Sequence, residues 1–308
     1  MRIPPDETKF ETRGFVASSN QRREYLESIG DTFVFGYHAA LETPEVNTLA
    51  LHMEDNVSQD MLGFAYEGAA MAIALTDFIQ FKRNGNFQAF IKGPGYNHSY
   101  MAYVGLGWAI ARMPFLYRWA LKNEDPLLKW LAVEGYGFHQ CYFHTYKTLS
   151  LRKVPEQLKG YARRAFYQGV GRCLWFVHGG DSIPMKNTIE SLPENYHSDL
   201  WSGLGLACAY AGGIGQIEIE RLIEYAGPYS MDFAQGVAFA SKARLRANNL
   251  TAHTEMAAQC ACRCSAEKAA KYTDLALENL SESPSSPAYE TWRKRIKTLI
   301  SENNAVSL

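Results

Sequence analysis

The segment Glu134-Gly135-Tyr136-Gly137-Phe138-His139-Gln140-Cys141-Tyr142-Phe143-His144 gathers a carboxyl, two imidazoles and four aromatic rings. Burial among rings raises a carboxyl pKa and lowers that of a histidine, and proton transfer at neutral pH needs groups tuned in this way. Glu134 and His139 are therefore a candidate acid–base pair. Five residues turn through about 140° on a helix, so the spacing does not force the two side chains together. Arg172-Cys173-Leu174-Trp175-Phe176-Val177-His178-Gly179-Gly180-Asp181 is a second candidate. Arg172 could pair with Glu134 or bind an anionic ligand group. His178 and Asp181 bracket a glycine turn that could face a pocket mouth. Glu67, in Tyr66-Glu67-Gly68-Ala69-Ala70-Met71, is a further acid in an apolar run. Each has a purely structural alternative: a satisfied core histidine for His139, and a helix C-cap with a surface aspartate for His178 and Asp181.

The elements that carry these residues repeat. Gly36, Gly68, Gly105, Gly135, Gly169, Gly203 and Gly236 are separated by 32, 37, 30, 34, 34 and 33 residues. Tyr66-Glu67-Gly68 aligns with Tyr103-Val104-Gly105, and Tyr167-Gln168-Gly169 and Trp201-Ser202-Gly203 follow the same pattern. A period near 34 residues is the length of a two-helix unit, so the spacing predicts an all-α, tetratricopeptide-like α/α superhelix of about seven helical-hairpin repeats. Gly and Pro turn signals, such as Asn84-Gly85-Asn86, Asp125-Pro126 and Gly179-Gly180-Asp181, fall between the glycine-centred helices. Residues 1–30 read as an N-terminal arm and capping helix, 31–280 as the repeat domain, and 281–308 as a Ser/Pro linker followed by a basic C-terminal capping helix.

Glycine inside a helix is about 1 kcal/mol worse than alanine, so its recurrence needs a cause. Pairs such as Gly105/Gly107, Gly135/Gly137, Gly169/Gly171 and Gly203/Gly205 strip bulk from a helix flank and let neighbours approach. The residues before the repeat glycines are Phe35, Glu67, Val104, Glu134, Gln168, Ser202 and Gln235. One turn on are Ala39, Met71, Trp108, Phe138, Arg172, Leu206 and Phe239. The two columns share a helix face, and their mix of apolar walls with a few polar groups suits a ligand cavity. Tyr66, Tyr103, Trp108, Tyr136, Phe138, Arg172, Trp175, Trp201 and Gln235 are the candidate substrate-binding residues. Glu67, Glu134, His139, His178 and Asp181 are the candidate catalytic ones.

The chain has 308 residues, net charge −1, and 18 Tyr, 16 Phe and 6 Trp. This balance offers no bulk field for nucleic acid or an anionic membrane. The polar start, Arg2-Ile3-Pro4-Pro5-Asp6-Glu7, lacks the apolar stretch of a secretion signal, which predicts a cytoplasmic protein with reduced thiols. Leu200 to Ile217 carries no charge, yet its glycines make a buried helix the expectation rather than a membrane span. Cys260, Cys262 and Cys264 alternate around a helix and have no partner C-x-x-C, so no metal is expected. Phosphate-loop, dinucleotide, serine-elbow and zinc-protease motifs are absent, and no cofactor is expected.

Phe64-Ala65-Tyr66-Glu67-Gly68-Ala69-Ala70-Met71, Val104-Gly105-Leu106-Gly107-Trp108-Ala109, Gly135-Tyr136-Gly137-Phe138-His139 and Leu200-Trp201-Ser202-Gly203-Leu204-Gly205 resemble an uncharacterised bacterial family. Its members are encoded in enediyne polyketide core cassettes and other specialised-metabolite gene clusters. The resemblance spans about residues 10–270. An aspartate is usual in that family where this chain has Glu134. The resemblance implies the handling of hydrophobic biosynthetic intermediates and transfers no reaction.

Two functions follow as expectations. One is an enzyme of specialised metabolism that cyclises or isomerises an unsaturated polyketide or terpenoid chain by acid–base chemistry in an aromatic cavity. The other is a non-catalytic scaffold that binds a carrier domain or another biosynthetic protein along its groove.

Overall fold

A computed structural model describes residues 2–82, 85–280 and 287–306. Asn84 of one expected turn and Ser281–Ser286 of the expected linker lie outside the described residues. Among those described, regular structure is helical throughout, with no strand. Eight helices form one continuous row: α1 (Asn20–Glu42), α2 (Leu62–Ile79), α3 (Ser99–Arg112), α4 (Lys129–Phe143), α5 (Tyr161–Val177), α6 (His197–Ala211), α7 (Ser230–Arg246) and α8 (Ala266–Leu275). Each packs on the next. Shorter helices on the outside, such as Val46–Asn56, Ser182–Ser191 and Gln216–Ala226, lead from one row helix to the following one. Neighbours in the row run the same way. Trp130 meets Tyr161 near the starts of α4 and α5, and Cys141 faces Cys173 nearer their ends.

The glycines set the spacing of the row. A Cβ on Gly135 would overlap the Val104 carbonyl, and one on Gly107 the Ala132 carbonyl, so α3 and α4 touch backbone to backbone. Gly137 and Gly169 do the same between α4 and α5, Gly171 and Gly203 between α5 and α6, and Gly205 and Gly236 between α6 and α7. In each Gly-x-Gly the first glycine meets the preceding helix and the second the following one. Close Cα–H···O=C contacts of this kind are individually weak and act here in sets.

This geometry corrects the register of the first repeat. Gly36 abuts Ala65, so it belongs to the second glycine column, and Val34 occupies the first. The inward residue of α1 is accordingly Phe33, whose carbonyl abuts Gly68. Phe35 instead lies half-buried against the His52 ring.

The row curls until its start meets its end. The Tyr25 hydroxyl donates to the Ala211 carbonyl, and Arg22 pairs with Glu218 at 2.7 Å. Arg244 reaches the Asp60 carbonyl, and Asn249 bonds to the carbonyl of Gln59. The charge-free stretch from Leu200 breaks where α6 ends at Ala211, with Gly212 and Gly213 at positive φ. The helix α2 is long and apolar enough to cross a membrane, and 83% of that stretch is buried among its neighbours.

Both ends of the curled row are covered. The C-terminal helix α9 (Ala288–Val306) packs on α7 and α8 and buries Tyr289, Trp292, Ile296 and Ile300. It also drives Arg293 against the first turn of α6, where Asp199 accepts its Nη1 at 2.7 Å. Arg164 holds the same carboxylate through two bonds of 2.9 and 3.0 Å. At the other end an N-terminal arm is tied to α1: Ile3 N–H donates to His38, and Thr8 Oγ1 to Asp31.

Because the glycine contacts are backbone to backbone, an added methyl has nowhere to go. Gly135→Ala should lower unfolding free energy by about 3 kcal/mol or more, near the upper end for overpacking. Urea denaturation against wild type measures it, and a loss below about 0.5 kcal/mol would show that the helices can part at little cost.

Candidate active site

The glycine contacts fix how each row helix is rotated. The residue before the first glycine and the residue three after it turn inward, while the residue two before it turns outward. The inward set meets in a cavity of about 60 Å³. Phe33, Trp108, Phe138, Phe176 and Leu206 wall it, and Glu67 and Arg172 supply the charge from the row helices. Phe33 lies 4.7 Å from Trp108, and Trp108 meets Phe138 edge-on at 5.1 Å, ring centroid to ring centroid. The arm adds Ile3, Glu7 and Thr8 at the mouth. A second, smaller void of about 20 Å³ lies deeper, between Val104, Phe239 and Trp292, and shares Arg172, Leu206 and Tyr210 with the first.

Glu67 is 3% exposed. Burial pushes its carboxyl up to about 7, and the Arg172 charge and the nearby Trp108 indole offset this only in part. The Trp108 indole N–H has no well-formed hydrogen bond. Arg172 is 4% exposed, its guanidinium rests 5.6 Å from the Phe138 ring centre, and its Nε has no partner. No ion pair within 4 Å neutralises it among the described residues. Its field nevertheless reaches the carboxyls of both Glu67 and Glu134.

Glu134 stands behind the wall and does not line either void. Its Oε1 accepts a short hydrogen bond from the Tyr289 hydroxyl of α9, and its Oε2 has no partner. Burial raises this carboxyl too, to about 7, against the opposing effects of Arg172, the Tyr289 bond and Arg293. Gln235 belongs to the same buried layer: its Oε1 accepts from Ser202 Oγ at 2.7 Å and from Arg293 Nε at 3.0 Å.

The remaining sequence candidates are dispersed. His139 is fully enclosed beside Trp108 and Phe143, with neither ring nitrogen bonded. Burial holds its pKa well below the usual value, so it is neutral. His178 lies outside the cavity, 2.9 Å from Thr188 Oγ1, and burial pushes it down to about 4. Asp181 caps the Ser182–Ser191 helix by accepting the Ile183 N–H. Tyr66, Tyr103 and Tyr136 turn outward: their hydroxyls meet Glu54, Glu124 and Gln157. Trp175 donates its N–H to the Gly212 carbonyl, and Trp201 packs on Phe233. Trp108, Phe138, Arg172 and Glu67 are thus the sequence candidates that meet at the cavity, with Glu134 and Gln235 directly behind.

Sequence reasoning missed Phe33, Tyr142, Phe176 and Tyr210 in the lining, and Tyr289 and Arg293 behind it. Phe33 becomes legible once the first repeat is shifted by two residues. Phe176 and Tyr210 lie one further turn along the inward face, at seven residues after the first glycine, a column the period already contains. Among the described residues no three His, Cys, Asp or Glu side chains converge in a way that could hold a metal.

A family model described as "Protein of unknown function (DUF1702)" matches residues 1–300. The chain belongs to this family. No curated protein and no solved structure matches it. Membership covers the glycine-paired row, both cover elements and the cavity together, and it names no reaction.

The raised carboxyls make stability depend on pH. Glu67 folds with a pKa near 7 against 4.5 unfolded, so the folded chain binds more protons between these values and loses stability as pH rises through them. The term is on the order of 3 kcal/mol per carboxyl. Glu67→Gln should therefore match wild type at pH 5 and be more stable at pH 8. Urea melts at the two pH values measure this. Equal stability at pH 8 would mean that Glu67 ionises without penalty.

Proposed function

We propose that this protein is an enzyme of specialised-metabolite biosynthesis that cyclises or isomerises a hydrophobic unsaturated chain, polyketide or terpenoid, by proton transfer from Glu67. The observation that carries this reading is a buried carboxyl with a pKa near 7 set in a mainly aromatic and aliphatic wall that also holds Arg172, with Glu7 and Thr8 at the mouth. A carboxylic acid that is still partly protonated at neutral pH and faces an apolar void can protonate an alkene or polarised oxygen and take a proton back from the neighbouring carbon. The faces of Trp108, Phe138 and Phe33 would stabilise cationic character as it develops. Arg172, buried without an ion pair, would hold an anionic end of the ligand. Glu134 would act through charge alone, sharing the field of Arg172 with Glu67, and Gln235 would keep Arg293 in place beside it. His139, enclosed and neutral, would support the Trp108 ring. We also read the row as helical-hairpin repeats of the tetratricopeptide kind, bent here around an interior, and the setting as a cytoplasmic biosynthetic pathway.

The alternative is a scaffold that grips a carrier domain or another biosynthetic protein along a concave groove. It has less support. The hydrogen bonds of Tyr25 to Ala211 and of Asn249 to Gln59 bring the start of the row to its end, so the inward polar residues face a narrow void rather than an open surface.

The test is complementation of a strain lacking this gene, with metabolite profiling. Glu67→Gln should cut the final metabolite by roughly 100-fold or more and accumulate its unconverted precursor, the usual effect of losing a general acid. Glu134→Gln should retain output within about tenfold, since it does not touch the ligand. Full output from Glu67→Gln would remove the acid role and favour the scaffold. In a purified assay the rate should fall as pH rises above about 7, as Glu67 loses its proton.

A further inference from the structure

The arm that covers the mouth has an unusual position. Ile3 and Glu7 line the inner cavity on one side and a surface hollow of about 360 Å³ on the other. They are the partition between two voids. Beyond them the apolar lining continues without a break: Phe33 and Val34 inside, then Tyr37, Met71, Leu75 and Ile79 outside, with Arg2 and Arg112 at the rim. The inner cavity alone, at about 60 Å³, is far below the roughly 300 Å³ at which small-molecule pockets usually begin.

We propose that the groove now filled by residues 3–8 is the outer part of the ligand site, and that a linear apolar chain enters by displacing this segment and lies where Ile3 lies. This rests on the reading of the cavity as a site for a hydrophobic chain. The lining sets the ligand class: an extended hydrocarbon body long enough to run from Trp108 to Met71, with any anionic group at one of its two ends, near Arg172 or near Arg112. The segment is held in a manner that allows release. Its ties are the Ile3 N–H to His38 at 3.1 Å, Thr8 Oγ1 to Asp31 at 2.6 Å, the Glu7–Arg13 pair at 2.8 Å, and the partly exposed Arg2–Glu42 and Lys9–Asp31 pairs. Such pairs near solvent hold little. The next segment is anchored differently. Phe10 and Phe15 are buried against each other, Phe15 packs edge-on against Tyr142, and Val16 N–H bonds the Val177 carbonyl. The extended backbone at Lys9 separates the two. Once the Glu7–Arg13 pair opens, residues 3–8 can thus swing while residues 10–16 stay in place.

The probe is cis-parinaric acid, a linear tetraene carboxylate whose fluorescence rises in an apolar site. Hydrogen exchange of the full chain, with and without saturating probe, should show amides of residues 3–9 losing protection while those of residues 15 and 16 keep it. Ile3→Ser and Thr8→Val, each checked for native circular dichroism, should bind the probe about tenfold faster than wild type. Should Ile3→Ser fail to fold, Thr8→Val alone decides, because it removes one tie and leaves the core intact. Probe bound with unchanged protection of residues 3–9, or variants that bind no faster, would overturn the displaced arm while leaving the cavity as a hydrophobic site. Absence of binding to wild type and to both variants would overturn the arm proposal together with the hydrophobic-chain reading. Binding unaffected by Leu206→Trp, which fills the inner cavity, would do the same.

Discussion

The contact on which this structure depends is that between a glycine Cα on one row helix and a backbone carbonyl on the next. Side chains can adapt to one another by changing rotamer, whereas two backbones in contact cannot. A pair of such contacts at each of several successive interfaces therefore fixes the separation of the helices and their rotation about their own axes. Rotation is the consequence that matters for chemistry. It sends Glu67, Trp108, Phe138 and Arg172 into a common interior and sends Tyr66 and Tyr103 to the outer side, where their hydroxyls find Glu54 on an outer helix and Glu124 in a loop. The penalty for glycine within a helix is met by this packing, and no ligand is needed to explain it.

The interior balances charge in an unusual way. One buried guanidinium, Arg172, is flanked by two buried carboxyls, Glu67 and Glu134, neither of which forms a close ion pair with it. Desolvation raises both acids to near neutrality. Behind them the chain invests in full pairing: Asp199 is held by Arg164 and Arg293, and Glu290 by Arg164. Asp199 also sits in the first turn of α6, where the helix dipole favours an anion. The contrast separates a layer built for rigidity from a layer whose protonation can change. Paired ions hold α9 against the row, and the unpaired set in front of it keeps its groups available.

The two covers serve the interior differently. The helix α9 closes the end where α5, α6 and α7 begin, with large buried rings and charged pairs. The arm closes the end where the row helices finish, through a few polar ties and the side chains of Ile3, Glu7 and Thr8. An elongated repeat array with open ends would leave its inward face wet, and a carboxyl on that face would ionise normally. Closure is what makes the Glu67 environment possible.

Much of this was readable from the chain alone. The period near 34 residues, the Gly-x-Gly pairs and the inward column at Glu67, Trp108, Phe138 and Arg172 are local patterns, and helical periodicity converts them directly into faces. The first repeat was misaligned because Gly36 stands alone, and nothing local says whether a lone glycine belongs to the first or the second column; its contact with Ala65 decides. Tyrosine and tryptophan looked like cavity walls by type, but a shift of one residue turns a side chain by about 100°, so type could not say which rings face in. His178 and Asp181 are neighbours of Arg172 in sequence and lie past the end of its helix, outside the void. What the sequence determined was the repeat and the chemistry of each helix face, since these depend on neighbours a few residues apart. What only the tertiary structure decided was which groups meet. The curl of the row, the insertion of Tyr289 from 155 residues beyond Glu134 with Arg293 one turn further on, and the arm across the mouth all arise from contacts between segments distant in the chain, which leave no periodic trace in it.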